Sequence, residues 1–160
     1  MNRRAWTHRI FWVLFALLGT SPAVRAGEDR RGPSVTLRSQ YKQECAACHV
    51  AYQPGMLPAD SWRRLMSNLP RHYGTDASLD AATVSELATW LGANAGTYRR
   101  VREAPPEDRI TKSAWFVRKH DEVPADVWKR PAVKSAANCA ACHTQADQGN
   151  FNEHAVRIPR

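Results

Sequence analysis

Beyond an apolar opening run from Ile10 to Leu18, hydrophobic positions in this chain recur at helical spacing. Nowhere do they alternate with the period of two that marks a half-buried strand. Leu37, Tyr41 and Cys45 share one face of a helix predicted over about residues 34–48. Trp62, Leu65, Met66 and Leu69 share a face of a second. Asp60 or Ser61 caps it, since a short polar side chain accepts from a first-turn N–H, and Pro70 ends it. Val84, Leu87, Ala88 and Leu91 mark a third helix, capped by Asp80 and stopped by Gly92 or Gly96. Two loops separate these elements: 53–58, turn-forming through its Pro-Gly content, and 71–79, which holds His72 and Gly74.

The pattern changes after residue 98. Residues 99–110 are charged, contain Pro105-Pro106 and offer little to bury, which predicts a linker. In residues 111–160, Trp115, Phe116, Val127 and Trp128 are bulky, but Pro124 and Pro131 interrupt them. Only a short helix over 112–120 and another near Cys139 are expected. The fold class is therefore mainly α, with a helical first domain (27–98) and an irregular, helix-poor second domain (111–160). Domains of this size usually require a staple to hold together.

The first 26 residues read as a cleaved secretory signal: Arg3, Arg4 and Arg9, then the apolar run, then Val24-Arg25-Ala26. That run is far short of the ~20 residues needed to span a bilayer. A retained anchor is the alternative, helped by Trp6, Phe11, Trp12 and Phe15. The signal holds four arginines and no acid, so its loss halves the formal net charge of +8. The remaining excess does not call for nucleic acid. Arg63-Arg64, Arg99-Arg100 with Arg102, and Lys129-Arg130 are expected on solvated faces, with docking of an acidic partner the minority reading.

All 4 cysteines fall into two copies of one pentapeptide, Cys45-Ala46-Ala47-Cys48-His49 and Cys139-Ala140-Ala141-Cys142-His143. Within one helical turn, positions i, i+3 and i+4 converge on a single face. Two thiols there can add to the vinyl groups of one porphyrin while the imidazole reaches its iron, which makes each motif a c-type haem attachment site. Zinc needs its ligand pairs close enough to share one ion, and about ninety residues separate these two. A redox dithiol expects a βαβ context, and a structural disulfide would leave the histidines unexplained. Covalent haem also fits export to the periplasm.

With His49 and His143 on one axial side of each iron, the opposite side decides the function. A second strong ligand gives electron transfer, whereas an open position gives gas binding or peroxide chemistry. His72 suits the first haem, being in an irregular loop with chain enough to cross to the far face. His120, flanked by Trp115, Phe116 and Val123, is favoured for the second, with His154 as the alternative. Met66 is read as core and Met56 as a loop hydrophobe. A dihaem peroxidase, with Glu153 near His154 as its acid–base pair, and a haem-based gas or redox sensor are the competing functions.

Residues 62–95, with Trp62, Leu65-Met66, Leu69, His72-Tyr73-Gly74, Asp76-Ala77-Ser78-Leu79-Asp80 and Leu91 to Ala95, resemble the first half of the small bacterial dihaem cytochrome c family. The later run is similar to its second half: Trp115-Phe116, His120, Trp128, Pro131-Ala132-Val133-Lys134-Ser135, Asn138-Cys139, the second pentapeptide, Gly149 and Ile158-Pro159. The resemblance covers nearly all of the chain beyond the signal. It implies a first domain like class I cytochrome c, an irregular haem-binding extension and a non-enzymatic periplasmic electron carrier; a monomer is expected. It also implies bis-histidine ligation, with distal roles for His72 and His120. The redox partners it implies are a monohaem oxygen-binding cytochrome or a membrane b-type cytochrome.

Overall fold

The computed structural model describes residues 35–160. The expected signal and its cleavage site lie outside the described residues. Four α-helices are present there: α1 (Ser39–Cys45), α2 (Ala59–Met66), α3 (Ala81–Ala93) and α4 (Ala114–Lys119). Short 3-10 turns connect them, and the only strand-like pairings among the described residues are isolated bridges, His72 to Thr75 and His143 to Val156. The chain is mainly helical, as its periodicity implied.

Local chemistry explains where each helix begins. Asp80 caps α3 by accepting from the backbone N–H groups of Ala82 and Thr83, each at 3.0 Å. Ser113 caps α4 by accepting from Phe116 N–H at 3.3 Å. The caps expected for α2 are not used. Pro58 occupies that position, and its carbonyl accepts from Ser61 and Trp62. The extended backbone at Pro58 starts the helix two residues earlier than the polar side chains suggest. Asp60 instead pairs with Arg63 in the first turn, and Ser61 is buried.

Two further expectations fail on packing grounds. α3 runs through Gly92 to Ala93, with Asn94 as its C-cap, so neither glycine stops it. Gly96 serves close approach instead: a Cβ there would stand 2.5 Å from both the Gly55 carbonyl oxygen and Val101 Cγ1. That approach buries Val101, and Pro105 is buried too, so the stretch after residue 98 is not short of things to bury. Arg64 does lie on a solvated face, as expected, and from α2 it makes two hydrogen bonds with the Asp108 carboxylate, at 2.8 and 2.6 Å. Arg130 likewise donates to the Pro159 carbonyl at 2.9 Å.

The core draws its buried members from one half of the sequence: Tyr41, Ala51, Leu57, Trp62, Met66, Leu69, Leu87 and Leu91. Here α2 lies against α3. Met66 belongs to this core, as expected. Farther along, Phe116, Val127, Val133 and Ala146 are buried without joining that cluster.

Candidate functional site

The helix α1 ends at Cys45, and a turn carries the chain through Cys48 to His49. At the second motif a single 3-10 turn, Cys139–Ala141, is closed by the Cys142 N–H donating to the Cys139 carbonyl at 3.3 Å, and the His143 N–H donates to the same carbonyl at 2.8 Å. The first pentapeptide is therefore not one continuous helical turn as expected. A helix is already spent when its first cysteine is reached, and the alanines form a turn instead. No disulfide joins any of the four cysteines. Burial, with Glu44 beside it, raises the Cys45 thiol to about 11, and burial also raises Cys139 and Cys142.

Each motif histidine faces another histidine. The rings of His49 and His72 lie 6.2 Å apart, and those of His143 and His120 lie 6.1 Å apart. Two imidazole nitrogens about 2.0–2.1 Å from one metal, on opposite sides of it, put their ring centres about 6 Å apart. His154 is exposed on the turn Glu153–Ala155, next to an equally exposed Glu153. Met56 is half-buried in the turn Pro54–Met56.

The loop after α2 presents His72 through a tight reversal. Thr75 N–H donates back to the His72 carbonyl at 3.0 Å, and both central residues, Tyr73 (φ 50°) and Gly74 (φ 95°), are left-handed. Glycine accepts that conformation freely, whereas a tyrosine must be held in it. Tyr73 is held twice. Its hydroxyl donates to the Glu107 carbonyl at 2.8 Å, and the Arg109 guanidinium lies 3.9 Å from its ring centre. Its ring also meets His72 edge-on at 4.9 Å. His120 is placed differently, as the C-cap of α4, with its ring stacked on Phe116 at 4.0 Å. Trp128 and Phe151 complete the aromatic surround of His120 and His143.

Hydrogen bonding selects which nitrogen can bind a metal. His49 Nδ1 lies 2.7 Å from the Val50 carbonyl, and His120 Nδ1 lies 2.9 Å from the Phe116 carbonyl. A proton on Nδ1, donated to a carbonyl, fixes the tautomer that leaves the Nε2 lone pair free for a metal. Burial lowers the pKa of His72, helped by nearby His49 and Arg109, and burial with His120 lowers that of His143. Both shifts favour the neutral imidazole, the form with a lone pair to donate. His72 Nδ1, His143 Nδ1 and Trp115 Nε1 are buried without a partner. Buried polar atoms of this kind normally have one.

The donor set fits an iron carried in a porphyrin. Four ligands of such an iron would come from the macrocycle, leaving the protein to supply axial groups and paired thiols for the porphyrin edge, and the paired imidazoles and cysteines have that chemistry. Among the described residues no group of three or more His, Cys, Asp and Glu side chains is arranged to hold an ion directly. Sequence reading missed Tyr52, whose ring stacks on His49 at 4.7 Å, and the clamping role of Tyr73. The signal for Tyr73 was present in the sequence, as a bulky residue followed by glycine directly after a candidate ligand.

Comparisons with known proteins agree with this donor chemistry. The sequence profile of the dihaem cytochrome c family matches residues 41–151. Among solved structures, a dihaem cytochrome c from Shewanella baltica is 36% identical, with a TM-score of 0.68 over 78% of this chain and 95% of its own. Two structures of the dihaem cytochrome c from Rhodobacter sphaeroides are also similar. One is 43% identical with a TM-score of 0.64, over 73% of this chain and 99% of its own. The other is 42% identical with a TM-score of 0.66, over 74% of this chain and all of its own. No curated protein matches the chain. By the extent of the profile match and the similarity of these structures, the chain belongs to the dihaem cytochrome c family, and its cofactors are two c-type haems.

Proposed function

We propose that this dihaem cytochrome is an exported electron carrier whose two irons each take two imidazoles: His49 with His72, and His143 with His120. The observation that carries the reading is the pairing of rings 6.2 and 6.1 Å apart, each pair joining a motif histidine to one distant in sequence. Cys45 and Cys48 would hold the edge of one porphyrin through thioether bonds, and Cys139 and Cys142 the edge of a second. Each haem supplies a one-electron couple at its iron.

The rest is done by the chain. Nδ1–H bonds to the carbonyls of Val50 and Phe116 keep the His49 and His120 rings oriented and their Nε2 atoms basic. Tyr73 and Arg109 hold His72 against the first site, and Phe116 holds His120 against the second. With imidazole on both sides, neither iron would have a position left for a substrate, and its potential would lie below that of a methionine-ligated haem. Export to the periplasm follows from the predicted signal and from the covalent mode of haem attachment. Among the described residues no helix is long and apolar enough to cross a membrane. The partners proposed are other redox proteins, a monohaem oxygen-binding cytochrome or a membrane b-type cytochrome, met by a monomeric chain.

Single substitutions test the ligand set. His120→Ala is expected to open one iron of the reduced protein to carbon monoxide, and His154→Ala to open none. Carbon monoxide binding to His154→Ala, with none to His120→Ala, would replace this assignment with the alternative one.

A further inference from the structure

Tyr52 touches both attachment sites. Its ring lies over the His49 imidazole, with centres 4.7 Å apart and planes 20° from parallel. Its hydroxyl donates to the Ala137 carbonyl at 2.9 Å, across 85 residues of sequence, and lies beside the Cys139 sulfur. Its backbone carbonyl accepts from the Tyr41 hydroxyl at 2.9 Å, and Tyr41 is itself buried in the core. Ring, hydroxyl and carbonyl are thus all fixed. A residue needed only to fill space beside His49 would not require a hydroxyl aimed at the second motif.

We propose that Tyr52 is the bridge between the two redox centres: it fixes the orientation of His49 and gives electrons a contiguous path from that imidazole to the Ala137–Cys139 backbone. The proposal rests on His49 being an axial ligand. In the step it serves, one iron loses one electron as the other gains it. No proton moves, and Tyr52 is neither oxidised nor reduced. Contiguous contacts and hydrogen bonds carry electronic coupling better than a gap of the same length. Removing the hydroxyl therefore cuts the path at one defined point, while the stacked ring remains.

The test uses the full holoprotein with both haems attached, half-reduced, with the rate of inter-haem exchange read from the NMR resonances of the two haems. Tyr52→Phe keeps the ring and the packing. It is expected to slow exchange several-fold while the electron paramagnetic resonance signal of the first haem stays unchanged. Tyr52→Leu also frees the His49 ring, and is expected to slow exchange and to shift that signal. Exchange at the native rate in Tyr52→Phe overturns the proposal, whatever the larger substitution does to folding. A high-spin ferric signal in the unsubstituted protein would overturn the ligand reading beneath it. A low-spin signal with exchange unchanged by Tyr52→Phe would overturn the bridge alone.

Discussion

At the scale of single residues, the proposed ligation puts the chemistry on four imidazoles and the atoms that orient them. A thioether ligand raises the potential of a haem that an imidazole holds low. His72→Met is therefore expected to raise the potential of one couple and leave the other near its native value. A potentiometric titration in which neither couple moves would count against His72 as a ligand. The two pentapeptides were legible because their spacing is fixed along the chain, and the approach of His72 to His49 and of His120 to His143 because each stood in a loop or apolar setting free to reach a motif histidine. Tyr52 was not legible. Its two partners, His49 and Ala137, are far apart in the sequence and meet only in the fold, so no local pattern links them. The hydrogen bonds of His49 and His120 to backbone carbonyls were equally hidden, because they depend on backbone path and not on residue type.

At the scale of elements, the helix that presents His120 depends on its cap. Ser113 is buried, accepts from Phe116 N–H and donates to the Ile110 carbonyl at 2.7 Å. Ser113→Ala is expected to cost about 1 kcal/mol, measured by chemical denaturation of the holoprotein. An unchanged midpoint would show that α4 is held by its packing alone. The stretch that includes residues 105–109 braces the His72 loop through Arg64, Tyr73 and Arg109. Hydrogen bonds from Arg64 hold the Asp108 carboxyl below its ordinary range. A depressed carboxylate stabilises the fold above its unfolded pKa, and that stabilisation is lost as pH falls through the folded value. Asp108→Asn is expected to flatten the fall in thermal midpoint on acidification below about pH 4. An acid limb as steep as the native one would assign the loss to other carboxylates. This brace escaped sequence reading because its residues look like a solvated linker, and nothing local signals that the chain turns back to bring Gly96 against Gly55 and Asp108 against Arg64. The cap at Asp80 was legible because it is local. The start of α2 at Pro58 was not, since two polar residues just downstream offered the stronger signal.

At the scale of the whole molecule, the two halves are held by different means. Residues 41–91 supply the buried cluster, whereas the buried side chains beyond residue 111 are scattered among short turns. A chain segment with so little shared apolar surface depends on its prosthetic group. Cys139→Ala or Cys142→Ala is expected to abolish hydrogen-exchange protection across 111–160 while leaving that of α2 and α3 in place. Protection unchanged there would mean that the turns and the contacts of Arg130 and Arg157 suffice. The mainly helical character was legible from periodicity, and the irregularity of the second half from its prolines. How the C-terminal stretch pairs Val156 with His143 was not, because a single bridge leaves no repeating pattern. The central claim is that both irons are closed on both sides by imidazole. Its most direct test is a carbon monoxide titration of the reduced native holoprotein, followed in the haem absorption bands. No binding to either haem is the result the paired rings predict, and ready binding to even one would contradict the account.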